Sequence, residues 1–122
     1  MTREYYGPKS EAECVINQIL NLSATGREQD WEVELANPAR IDEMLDVLES
    51  KQLDFESESA LALLLISSME EASEAGMLDD MQIRRASQFF LNSSDIQERM
   101  CFYWLELGRS SDTDLVKRVL TC

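Results

Sequence analysis

The stretch ALALLLIS, Ala60 to Ser67, constrains this chain more than any other. A helix that is apolar on nearly every side offers no face to water, so it must be surrounded by the rest of the protein. The helical pattern extends from about Ser57 to Ala75, and Gly76 is a natural C-cap. The continuous apolar run, Ala60 to Ile66, is far too short to cross a bilayer. The reading is therefore a central helix of an all-α domain, contacted from several directions.

The flanking sequence supplies the helices to surround it. Ser10 with Glu13 reads as a capping box, with Ala12, Val15, Ile16, Ile19 and Leu20 on one face. Asn37 and Pro38 suit the N-cap and first helical position of a second helix. Its stripe of Ile41, Met44, Leu45 and Leu48 faces away from Asp42, Glu43, Asp46 and Glu49. After the central helix, Asp79 or Asp80 caps a fourth, whose buried side is read as Met81, Ile83, Ala86, Phe89 and Phe90. Ser94 with Gln97 opens a fifth, which Gly108 stops, and Ser111 with Asp114 opens a sixth.

The expectation is one domain over residues 1–122, all-α, with about six helices and short loops. Two packings stay open: an antiparallel bundle, or a short HEAT-like stack of helical hairpins, since helix starts recur at regular intervals without a repeated motif. Residues 1–9 are read as an extended arm without the apolar core of a secretory leader.

One segment breaks the helical rhythm. In DWEVELANP, Asp30 to Pro38, Trp31, Val33 and Leu35 alternate with Glu32 and Glu34. Alternation predicts an extended segment over 31–35, laid across the helices with its glutamates in water. The rival is a short helix in which Trp31 and Leu35 form an i, i+4 pair.

Charge is the strongest functional clue. The chain carries net −13, and residues 41–80 alone hold twelve acidic residues against Lys51. Solubility does not require that concentration. Glu70, Glu71 and Glu74 stand near a helix C-terminus, where they oppose the helix dipole. The expected partner-binding face is therefore Asp42, Asp46, Glu49, Glu56, Glu58, Glu70, Glu71 and Glu74, extended by Glu32 and Glu34. Phe55, set among carboxylates, is read as tucked onto the core, with a contact anchor as the alternative.

The catalytic inventory is sparse. There is no His, no CxxC pair and no Gly-rich phosphate loop, so no enzyme, metal or cofactor is expected. Cys14, Cys101 and Cys122 are read as free thiols of a cytoplasmic protein. Direct nucleic-acid binding is disfavoured by the overall field, and no membrane contact is expected. Arg84, Arg85, Arg99, Arg109, Lys117 and Arg118 make the last third mildly basic and are read as pairing with the acids of the second and third helices, within the molecule or between two copies.

The pattern DWEVELANPARIDEML, then ALALLLISSMEEA, then ERMCFYWLELG resembles the small acidic immunity proteins of bacterial toxin–immunity systems, including contact-dependent inhibition. It spans Trp31 to Gly108 in general pattern without a diagnostic motif, so no residue's role transfers by position. The resemblance implies a cytoplasmic protein that binds a cognate toxin domain, often a basic nuclease, and blocks its active or substrate-binding site. A monomer or weak homodimer is expected. An acidic nucleic-acid mimic and a helical adaptor for an amphipathic peptide are the other classes the charge and helices allow.

Overall fold

In the computed structural model, which describes residues 5–122, the apolar run lies in a helix of 20 residues, Phe55–Glu74, in which every residue from Ser59 to Glu70 is buried. The elements in chain order are α1 (Ser10–Ile19), α2 (Trp31–Glu34), α3 (Ile41–Glu49), α4 (Phe55–Glu74), α5 (Asp80–Leu91), α6 (Ser94–Cys101) and α7 (Thr113–Val119). A 3-10 turn, Pro38–Arg40, leads into α3, and a π-helical turn, Phe102–Glu106, continues α6. Helices α1, α2, α3, α6 and α7 all pack on α4, while α5 packs on α3, α6 and α7. Units of a helical stack touch only their neighbours in the chain. Here α4 is wrapped by elements from both sides of it in sequence, so the all-α fold is a bundle around a central helix.

The segment at 31–35 is a helical turn, not a strand. Asp30 carbonyl accepts from the amides of Val33 and Glu34, and Leu35 N–H returns to Trp31 carbonyl. Trp31 is buried and its indole N–H donates to Asn17 Oδ1 at 3.0 Å, whereas Val33 is 56% exposed. Local carboxylate bonding decides against the alternating pattern. Glu34 accepts from the backbone N–H groups of Gln29 (2.8 Å) and Asp30 (2.9 Å), which ties down the start of the turn.

Several helix starts differ from expectation by a residue or two. Ser10 and Ser94 are the first residues of α1 and α6 rather than caps, and neither helix has a side-chain cap. At α7 the carboxylate of Asp112, not Ser111, accepts from Leu115 N–H at 3.1 Å. Asp54 starts α4 two residues earlier than the pattern indicated, by accepting from Ser57 N–H at 2.8 Å. At α5 the expected Asp79 cap forms a full capping box with Gln82. Gly76 and Gly108 end their helices at positive φ, +71° and +72°, where a Cβ would strain the backbone. Of the expected N-terminal arm, residues 1–4 lie outside the described residues, and Tyr5 is buried against Tyr103.

The cysteine expectation is corrected. Cys101 and Cys122 form a disulfide with Cα atoms 5.8 Å apart, and Cys14 alone is free and exposed. The fold creates this pair by returning the chain end to α6, where Thr121 N–H donates to Gln97 Oε1 at 2.8 Å. A separation of 21 residues with no CxxC spacing carries no sequence signal for it. Such bonds are rare in a reducing cytosol, so cysteine usage no longer supports a cytoplasmic expectation. Among the described residues, no helix is long and apolar enough to cross a membrane.

Candidate functional site

The carboxylates expected to form one face are dispersed, and the fold uses several of them internally. Glu32 is buried and accepts a hydrogen bond from the Tyr103 hydroxyl. Burial, and then this carboxylate, push the Tyr103 phenol above its ordinary range. Glu70 is also buried and accepts from Ser110 Oγ (2.7 Å) and from the backbone N–H groups of Ser111 and Asp112 (both 3.1 Å). Neither glutamate can present itself to a partner, because each is committed to holding a loop or a ring in place. Glu34 is committed to the α2 turn, and Glu71 and Glu74 remain exposed at the end of α4.

At the opposite end of α4, Glu56 receives both terminal nitrogens of Arg99, at 3.0 and 3.1 Å. The Arg99 guanidinium also stacks over Phe55 (4.2 Å) and Tyr5 (4.7 Å). Phe55 is thus neither core nor a free anchor. It supplies a partly exposed ring to a cation. The hydrogen bonds from Arg99 hold the Glu56 carboxyl below its usual range. Glu58, half-buried nearby, is raised by burial.

These directions give a pH dependence with a definite sign. A carboxyl lowered in the folded state adds stability above its unfolded value, and that stability is lost as pH falls through the folded value. Glu56 is joined by Glu43, Asp54 and Glu28, each lowered by hydrogen bonds from Arg40, Ser57 and Thr25 respectively. Glu13 and Glu58, raised by burial, act in the opposite sense and favour the fold at low pH. With four groups lowered against two raised, the urea midpoint should fall as pH drops below about 5, near the ordinary carboxylate range. Glu56→Gln should flatten that slope, and an unchanged slope would contradict the Arg99 clamp.

Three members of the expected face do come together. Along α3, Asp42, Asp46 and Glu49 converge on the guanidinium of Arg85 from α5, at 3.8, 2.8 and 2.7 Å. Bonds from Glu49 and then Asp46 raise the Arg85 pKa well above its ordinary value. The aligned pairs Asp42 with Gln82, Asp46 with Arg85 and Lys51 with Ser93 show that α3 and α5 run side by side in the same direction. Asp42 and Asp46 are still 71% and 73% exposed at their side chains.

Beside this cluster lies a groove of about 470 Å³. One wall is a single stripe of α5, Met81, Arg84, Arg85, Gln88 and Phe89, continued by Asn92 at its C-cap. The other is Glu49 and Lys51 at the end of α3. Met81 was expected on the buried side of α5 but is 66% exposed, because α5 turns Ala86, Phe89 and Phe90 inward. Lys51 lies 4.6 Å over the Phe89 ring, and its ammonium donates to Ser93 Oγ at 2.8 Å.

Among the described residues no cluster of potential metal ligands occurs. No family model, curated protein or solved structure matches this chain. The reading of the site therefore rests on its own chemistry. The sequence indicated the α3 carboxylates and their pairing with arginines of the last third of the chain, but not that Arg85 alone would gather all three, nor the groove. Both depend on α3 and α5 lying side by side, and these helices are separated in the chain by the whole of α4.

Proposed function

We propose that this chain is a non-enzymatic binding protein that neutralises a cationic partner protein, in the manner of the toxin inhibitors its sequence pattern resembles, through the outer edge of α3. The observation carrying this reading is the cluster at Arg85: three carboxylates share one guanidinium, and two of them stay largely exposed. Arg85 does more than reduce their charge. It holds them in one geometry, so a second cation arriving from a partner meets carboxylates that lose little freedom on binding. An arginine of the partner can pair with Asp42 and Asp46 in charge-assisted fashion. The net charge of −13 adds a long-range attraction that accelerates encounter with a basic protein.

The test is the double variant Asp42→Lys with Asp46→Lys, compared with the parent in capturing basic proteins from a lysate at low and high salt. The expected result is at least a roughly tenfold slower association with the captured protein at low salt, with most of the salt dependence gone. Unchanged capture with unchanged salt dependence would overturn the reading.

A further inference from the structure

The Cys101–Cys122 disulfide does not sit where a core would need a staple. Buried apolar residues from α1 to α7 already form one cluster, and a chain of this length can bury such a core without cross-links. Helix α7 is held by its own means: Leu115, Val116 and Val119 are buried, and Asp112 caps its start. What the bond fixes is the segment that follows. Past the buried Leu120, residues 121 and 122 are attached to α6 by the Thr121 hydrogen bond to Gln97 and by the sulfur–sulfur bond.

The bond is also open to attack. Cys101 is half-buried and Cys122 is exposed, and both line a second groove, of about 380 Å³, together with Leu105. Thiol–disulfide exchange requires this access, because an incoming thiolate must reach one of the two sulfurs. Among the described residues, the charged side chains lining this groove are Glu98 and Glu106, both acidic. They repel an anionic thiol, and the net charge of −13 acts in the same direction.

We infer that Cys101 and Cys122 form a thiol-exchange latch, opened by a dithiol without net negative charge, with residues 120–122 as the part that is released. The latch is independent of the binding role proposed above. A thiolate of the dithiol bonds to the exposed Cys122 Sγ, the Sγ–Sγ bond breaks, and Cys101 Sγ leaves with the electron pair and takes up a proton. The second thiol of the reagent, as its thiolate, attacks the mixed disulfide and closes the reagent's own disulfide. Cys122 Sγ leaves with its electron pair and takes up the second proton. The protein gains two electrons and two protons, and the dithiol is oxidised by the same amount. Residues 121 and 122 then keep the Thr121 hydrogen bond alone, and the groove loses the wall that Thr121 and Cys122 supply.

The full chain, purified under air, is the sample. Alkylation without denaturant, read by mass spectrometry, should find one thiol, Cys14, before treatment with dithiothreitol and three after it. Reduction should speed hydrogen exchange at the Thr121 amide by about tenfold or more, while Leu61 to Leu65 in α4 keep their protection. Cys122→Ser should show the reduced pattern with no reagent and should not respond to dithiothreitol. The first step is timed at low salt with three monothiols, at equal thiolate concentration. Cationic cysteamine should open the bond about tenfold faster than anionic mercaptoethanesulfonate, with neutral mercaptoethanol between them and the gap narrowing at high salt. Three alkylated thiols before reduction, or a bond that yields only in denaturant, would overturn the inference. So would an unchanged Thr121 amide, or equal rates for the three thiols. Loss of α4 protection together with Thr121 would overturn it too, since the bond would then be a staple of the whole fold.

Discussion

Trp31→Ala is expected to lower the free energy of unfolding by about 3–5 kcal/mol, the usual cost of removing a fully buried aromatic side chain. Trp31 is among the largest fully buried side chains, and its α2 turn packs on α4. The substitution also removes the indole N–H that donates to Asn17, leaving that amide oxygen of α1 without its partner. Small domains are stable by only about 5–15 kcal/mol, so the variant should be partly unfolded at modest urea or near body temperature. Val33→Ala is the control. Its side chain is exposed, and its loss should change stability by less than about 0.5 kcal/mol. Urea titration followed by far-ultraviolet circular dichroism checks both. Comparable losses at Trp31 and Val33 would mean that the segment buries alternate residues after all, as an extended staple would.

The same segment shows where sequence pattern is informative and where it is not. The central helix was legible because a helix apolar on every side has few ways to exist outside a core, and α4 is buried from Ser59 to Glu70. The two-faced α3 was legible for the same reason, with Ile41, Met44, Leu45 and Leu48 all buried. At Trp31 to Leu35 the apolar spacing fits a strand and a helical turn equally. What decides is Glu34 bonding to Gln29 and Asp30, together with Asn17 receiving the indole. Hydrophobic periodicity does not encode side-chain-to-backbone bonds. The candidate face failed in a related way. A carboxylate in a sequence is read as surface charge, yet Glu32 and Glu70 are buried among donors. Asp42, Asp46 and Glu49, spaced by four and three residues along one helix edge, were certain to be neighbours, as were Glu70 and Glu71 with Glu74. The donor that unites the α3 carboxylates, and the groove beside them, depend on which helices adjoin.

That difference between surface charge and internal carboxylate predicts the behaviour of Glu70. Glu70→Ala should destabilise the protein by about 3 kcal/mol, from three lost hydrogen bonds to a carboxylate, with Ser111 N–H left without an acceptor while Asp112 N–H keeps Ser110 Oγ at 3.1 Å. The effect should be local before it is global. Glu70 fixes residues 110–112, and Asp112 in turn caps α7 and lies 3.4 Å from Ser73 Oγ on α4. Hydrogen exchange should therefore accelerate first at Val116 and Leu120, whose amides bond to Asp112 and Val116, while Leu61 to Leu65 in α4 remain protected. Glu70→Gln keeps one acceptor oxygen and should lose less. If Glu70 belonged to the partner surface, either change would weaken partner binding and leave exchange at α7 untouched. The geometry requires the reverse: α7 loosens, and capture of a basic partner by the α3 edge persists for as long as the fold does. A carboxylate that bonds the loop leading into α7 is therefore subtracted from the binding face. The attraction of this protein for cations then falls to the few acidic groups, Asp42 and Asp46 foremost, that are held in place and still open to water.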